Sequence, residues 1–308
     1  MPLNAAEIAD RPTFVVGFPR SGTSLLRSVI STHPLVQLAP ETHFLSTWVP
    51  LFPNVDLSDP RGFDEFWKAY TGDGQFRALE LDAGELRERI EAAGDLSFRG
   101  IFTAVMRAHA ELYGKPGWGE KTPAHFEHLD VLFNWYPQAR VLFVIRDPRA
   151  VVASWLALDS AWTNRPIPWI VAGWKKSAAA AAKWEIDVRV NVFRYEDVAS
   201  GGRVPELFAF LDLDHPAAAM DGRSDTGRPK GAHDPRGPIR SGSIDRWRTA
   251  LDPSTVAAIE AAAGGEMQRY GYQPTVTGLR RGLAVLKRRL SRWGRRTRRI
   301  ASRVVPRR

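Results

Sequence analysis

The chain has 308 residues, 44% of them apolar and none of them cysteine. It can therefore bury a large core without disulfide or metal staples, and thiol catalysis and cysteine-ligated zinc or iron–sulfur sites are excluded. The net charge of +9 is a misleading average, because 13 of the 43 lysines and arginines fall in residues 279–308, which hold no acid, leaving a mildly acidic body.

No run of 18 apolar residues occurs, and a strand-like run begins at Thr13, so the sequence reads as an unprocessed cytoplasmic protein without a spanning segment. That first run, "TFVVG" (13–17), enters the turn "FPRSGTSLL". Gly17 and Gly22 keep the spacing of a Walker A loop, but Thr23 stands where its lysine belongs. A strand ending at Gly17 and a helix starting near Gly22 aim the amides of residues 20–24 into one concavity, an anion site by geometry, with Arg20, Thr23 and Ser24 as further donors. After that helix and a short second strand, "LAPETHF" brings Glu41 and His43 back to the crevice edge. Residues 50–80, rich in Pro, Gly, Asp and aromatics with weak periodicity, read as a surface or lid insertion.

In "GEKTP", Thr122 is placed to cap a helix and Pro123 to open it, so Lys121 is expected at a helix N-terminus. "RVLFVIR" (140–146) is the next buried strand, followed by "DPRAVVASWLAL" with Asp147 as N-cap and Pro148 as first helical residue. Arg146 and Ser154 are either a grip for a second phosphate or a strand-end ion pair and a helix filler. A long helix is predicted over 168–187, a third strand over "VNVFRY" (190–195), and a long loop over 221–243. The architecture is α/β, a P-loop-like three-layer fold with a central parallel sheet flanked by helices, organised as one domain over 1–275 and a basic tail over 276–308.

"GFPRSGTSLLRSVISTHP", "APETHF", "GEKTP", "VLFVIRDPRAVVASWL", "FRYEDV" and "GSIDRWRTAL" occur in the order and approximate spacing of the PAPS-dependent sulfotransferases. Over residues 12–272 the chain resembles that family, and looks closest to the branch of the tyrosylprotein sulfotransferases and their bacterial relatives. The resemblance implies PAPS (3′-phosphoadenosine 5′-phosphosulfate) as cosubstrate, PAP as product and no metal. It implies that Arg20, Ser21, Gly22, Thr23 and Ser24 cradle the 5′ end, that Arg146 and Ser154 hold the 3′-phosphate, and that Glu41 is the general base. His43 is the competitor for that role, because the small-molecule branch uses histidine. Lys121 and Arg20 would share the charge on the leaving group, and Tyr195 would lie near the adenine or in the core. Arg240 and Ser243 would close over the 3′-phosphate, with Trp247 beside the adenine or anchoring its helix.

The acceptor is expected to be a hydroxyl of a carbohydrate, lipid or small metabolite rather than a protein tyrosine. A P-loop nucleotide kinase or NTPase is the alternative enzyme, and a non-catalytic polyanion-binding module the alternative outside catalysis. Trp48, Trp162 and Trp169 are expected either to line the acceptor pocket or to pack in the core. In the tail, Leu279, Leu283, Leu286, Leu290, Trp293, Ile300 and Val304 form an apolar stripe among arginines. This pattern suits peripheral contact with an anionic membrane or another polyanion, with no specific nucleic acid, or packing on the protein itself.

Overall fold

In the computed structural model, which describes residues 4–158, 164–216 and 243–275, five short strands form one all-parallel sheet in the order β2-β3-β1-β4-β5. They are β1 Thr13–Gly17, β2 Val36–Ala39, β3 Gly117–Lys121, β4 Arg140–Ile145 and β5 Val190–Arg194. β1 is central, and Phe14, Val15 and Val16, like Leu142, Phe143 and Val144 of β4, are at most 1% exposed. Continuous apolar runs of this kind belong to a parallel sheet covered on both faces.

The strand expected over 13–17 is observed, those expected over 140–146 and 190–195 each end one residue earlier, and the short strand before Glu41 is β2. β3 is additional to the expected set, for "GWGEK" carries two glycines and two charges and lacks the β-branched signature. Its glycines serve close approach. A Cβ on Gly119 would lie 1.8 Å from the carbonyl oxygen of Thr13, its partner in the β1–β3 register.

Residues 60–71 show why the weak periodicity expected over 50–80 is a misreading. Asp59 caps the helix Pro60–Thr71 by accepting from the Gly62 amide. Phe63, Phe66, Trp67 and Tyr70 then recur at helical spacing and are all buried. They join an aromatic cluster in which Tyr70 lies 5.3 Å from Phe44 and 5.1 Å from Phe76 between ring centroids. Trp48 is part of this cluster, 5.4 Å from Tyr70, which puts it in the core rather than on an open pocket wall.

The chain divides into two compact units, Met1–Arg146 with Ser177–Ser241, and Asp147–Lys176 with Gly242–Arg308. The whole sheet belongs to the first. The second is organised around Arg149, which is 3% exposed. Its guanidinium bonds Asp147 at 2.6 Å, Glu260 at 2.6 Å and the Gln273 carbonyl at 3.1 Å, and it lies 4.0 Å from the centroid of Trp247. Trp247 thus anchors a buried arginine. Asp147 and Pro148 open the helix Pro148–Leu156 as expected, and the long helix runs Ile167–Trp184. Trp162, Arg240, the loop 221–242 and the tail from residue 276 lie outside the described residues. Among the described residues no helix is long and apolar enough to cross a membrane.

Gly119→Ala should prevent β1 and β3 from pairing without displacement, costing ~3 kcal/mol as overpacking against an immobile backbone. Chemical denaturation of the variant against wild type measures it; an unchanged midpoint would contradict the close approach.

Candidate active site

The turn between β1 and the helix Thr23–Ile30 passes through two left-handed residues, Arg20 at φ 72° and Gly22 at φ 98°. For an arginine this conformation is strained, and such strain concentrates at functional sites. Gly22 has a double reason to be glycine, because a Cβ there would also lie 2.1 Å from Cδ2 of Tyr195. Tyr195 is 8% exposed and packs directly on the loop.

The helix has no side-chain cap, so the amides of Thr23 and Ser24 have no intrahelical acceptor. Beside them Ser21 is 1% exposed, and its Oγ has no hydrogen-bond partner among the described residues. A buried hydroxyl without an acceptor next to open helix-terminal amides fits a phosphate or sulfate oxygen. The residues expected to hold the 5′ end of PAPS therefore have the right chemistry for it.

Arg146 follows β4 directly. Its Nη1 donates to the Arg20 carbonyl at 3.1 Å, and its guanidinium sits 4.1 Å from the centroid of the Tyr195 ring. It thus braces the loop from below and brings a second cation to it. Burial, then the charge of Arg146, push the Arg20 guanidinium below its ordinary value, with Glu41 opposing them. Two like charges held this way create a demand for an anion. Ser154 lies on the helix Pro148–Leu156, and Ser243 is the first described residue of the part of the second unit that begins at Gly242.

Lys121 occupies the last position of β3, one residue before Thr122 at the N-cap position of a 3-10 turn that opens on Pro123, and so stands at a helix N-terminus as expected. The Thr122 side chain does not cap that turn, Pro123–Glu127. The Lys121 ammonium bonds Oε1 of Glu41. The lysine side chain is 6% and that of Glu41 38% exposed. Nε2 of His43 lies 3.2 Å from Glu41 Oε2. Burial pushes the Glu41 carboxyl up, but the hydrogen bond from His43 and the Lys121 charge outweigh it and pull the group down to about 2. Burial lowers Lys121, and Glu41 works against that shift. Base candidate, competitor and leaving-group lysine thus form one contiguous row.

Beneath the row lies a group that motif reading does not single out. Glu120 is fully buried and accepts at Oε1 from the Thr42 amide at 2.9 Å and from Oγ1 of Thr122 at 2.5 Å. The Thr42 hydroxyl bonds the same oxygen. Nδ1 of His125 lies 2.9 Å from its Oε2. A buried carboxylate between Lys121 and a glycine in a strand was the available signal, and it is a weak one.

An open parallel sheet with an anion-binding turn at the carboxyl end of its central strand defines the P-loop-like α/β class, whose ligands bind outside those strand ends. Residues 12–216 match the model of the sulfotransferase family, and the chain belongs to that family. It is 30% identical over 150 residues to the nodulation protein NoeE of Sinorhizobium fredii (strain NBRC 101917 / NGR234), covering 48% of this chain and 31% of that one. It is 25% identical over 207 residues to protein-tyrosine sulfotransferase A of Caenorhabditis elegans, covering 67% of this chain and 47% of that one. The chain thus spans a third to a half of the length of these curated relatives. Among solved structures, the sulfotransferase domain from the Synechococcus PCC 7002 olefin synthase superposes with a TM-score of 0.60 at 19% identity. That match covers 86% of this chain and 96% of the domain, and shows the shared fold.

The depressed Glu41 carboxyl makes a pH-dependent contribution to stability. Its folded value, about 2, lies below the ordinary 4.5, so the contribution is complete above about pH 4.5 and is lost as pH falls towards 2. Thermal melts of wild type and Glu41→Gln should therefore differ most above pH 5 and converge towards pH 2. A constant difference across that range would show that the ion pair does not operate.

Proposed function

We propose that the chain is a PAPS-dependent sulfotransferase that moves a sulfuryl group to an acceptor hydroxyl, with Glu41 as general base. The observation that carries this reading is the convergence of Glu41, Lys121 and Arg20 at the rim of a loop whose Ser21 hydroxyl is buried without an acceptor. When bound, PAPS supplies the sulfuryl group on a phosphate leaving group, with PAP as the product.

The amides of Gly22, Thr23 and Ser24 and the hydroxyl of Ser21 bind the 5′ phosphate oxygens, and Arg20 and Lys121 meet the charge that accumulates on the leaving oxygen. Charge stabilisation of this kind contributes several kcal/mol in a water-poor site. Glu41 takes the proton from the acceptor hydroxyl as its oxygen bonds sulfur and the bond from sulfur to the phosphate oxygen breaks. Such proton transfer contributes on the order of 10² to 10⁴ in rate. Lys121 lowers the basicity of Glu41 while it is bound to it, so moving the ammonium towards the leaving group strengthens the base when it is needed. Arg146 holds the 3′-phosphate, and Tyr195 supports the adenine side. Metal is not required in this scheme, since the donor's charges are met by arginine, lysine and backbone amides. The acceptor is a hydroxyl of a carbohydrate, lipid or small metabolite.

Calorimetry should show that PAP binds without magnesium and that ATP competes poorly. Absent PAP binding, or tight magnesium-dependent ATP binding, would return the chain to the nucleotide kinase class. Glu41→Gln should lower PAPS turnover at least ~100-fold with PAP affinity within about twofold. Normal turnover in that variant would move the base to His43. A panel of carbohydrate, lipid, phenolic and tyrosine-peptide acceptors assayed for PAP release identifies the recipient.

A further inference from the structure

The row of Glu41, His43 and Lys121 is carried on two segments that have no regular pairing with each other at that point. β2 ends at Ala39, opposite Glu120 in the β2–β3 register. Beyond it the chain enters a wide helical turn, Phe44–Trp48, whose N-cap residue is His43 in the left-handed conformation at φ 53°. The amides at the start of such a turn need acceptors from outside it, and a left-handed histidine needs its surroundings to hold it there.

One buried cluster does both. The Thr42 amide donates to Glu120 Oε1 at 2.9 Å and to Thr122 Oγ1 at 3.1 Å. The His43 amide donates to Thr122 Oγ1 at 3.4 Å, and the Phe44 amide to Thr42 Oγ1 at 3.2 Å. The Leu45 amide donates to Nε2 of His125 at 3.2 Å. Four consecutive amides are thereby satisfied. Because Nε2 of His125 is an acceptor, its hydrogen is on Nδ1, which lies 2.9 Å from Glu120 Oε2 without the geometry of a hydrogen bond. Both threonine hydroxyls spend their hydrogens on Glu120 Oε1, and so accept from the amides with the geometry fixed. Burial alone would push the Glu120 carboxyl up, but His125 and the two hydroxyls hold it below its ordinary value, so it acts as an acceptor only.

We infer that Glu120, with His125 beside it, is the positioning residue of the site: through its bonds to Thr42 and Thr122 it sets Glu41 and Lys121, each the neighbour of a residue it grips, into contact. The inference rests on the reading of Glu41 and Lys121 as base and leaving-group cation. Thr42 is the transmitting contact, since its amide and its hydroxyl both end on the same carboxylate oxygen. Displacements of about 1 Å at reacting groups cost up to about 100-fold in rate.

The experiment uses the full chain and two substitutions of different severity. Glu120→Gln removes the charge and turns one acceptor into a donor; Thr42→Val keeps the shape and removes only the hydroxyl, with Thr42→Ser as the conservative control. Carbon-13 NMR of glutamate side chains follows the Glu41 titration in the free protein, where Lys121, His43 and Arg20 are the charged or titratable groups that face it. In wild type the Glu41 carboxyl should titrate at about 2. In Thr42→Val it should move towards ~4, the ordinary glutamate value, and Thr42→Ser should restore it. Turnover of PAPS should fall about 10- to 100-fold in Thr42→Val, with PAP affinity unchanged within about twofold. A lowered melting temperature with wild-type Glu41 titration and wild-type turnover per folded molecule would reduce the cluster to a structural role. An equal loss of PAP affinity and turnover would also overturn the inference. If wild type neither binds PAP nor consumes PAPS, the functional reading fails, whereas the NMR titration still decides whether Glu120 sets the Glu41–Lys121 contact.

Discussion

Everything at this site depends on β1 being paired in parallel on both sides. β3 and β4 both run alongside β1 from Thr13, with Val15 opposite Lys121 on one side and Gly17 opposite Val144 on the other. Three chains therefore reach the same edge together. The central one supplies the anion loop, β3 supplies Lys121, and β4 supplies Arg146 one residue beyond its end. Parallel pairing is what places residues 20, 121 and 146 at one place, although more than a hundred residues of chain separate the first from the others. The glycines of β3 are the local condition for it, since the backbone of β1 occupies the space where a side chain on Gly119 would be.

Charge is the second constraint. Lys121 bonds one partly exposed carboxylate, Glu41, whose charge also reaches Arg20, and Arg146 adds a second cation beside Arg20. In the proposed reaction, arginine on the loop and lysine on a neighbouring strand divide the work that a single lysine does inside a Walker loop, so the missing lysine would leave no deficit of positive charge. The division also separates roles. Arg20 is held by its left-handed backbone, while Lys121 reaches in from the end of β3 with its ammonium buried against Glu41.

Much of this arrangement is legible in the residues themselves. Apolar β-branched runs mark β1, β4 and β5, and the glycine spacing with Arg20 marks the loop. Asp147 and Pro148 mark the start of a helix that the structure places there. The less legible parts share a cause, which is that their determinants are non-local. β3 is a strand because β1 and β2 flank it, not because "GWGEK" prefers extension. Glu120 reads as one of two charges in a row, and only the return of the chain through Thr42 buries it. The helix Pro60–Thr71 is a different case: its apolar residues do follow a helical period, obscured by the Pro, Gly and Asp that surround it. Arg149 carries no signal of its own in "DPR"; its partners Glu260 and Trp247 are distant in sequence.

The Ser21 hydroxyl has a thermodynamic consequence. A buried donor left without an acceptor costs ~1–3 kcal/mol, and in the free protein that cost sits in the loop itself. Any oxyanion that enters relieves it, so occupancy and resistance to unfolding are linked quantities, rising together with ligand concentration. In the proposed reaction, part of the affinity for the anionic group would thus be provided by the protein's own folding, before any contact specific to the rest of the ligand is made.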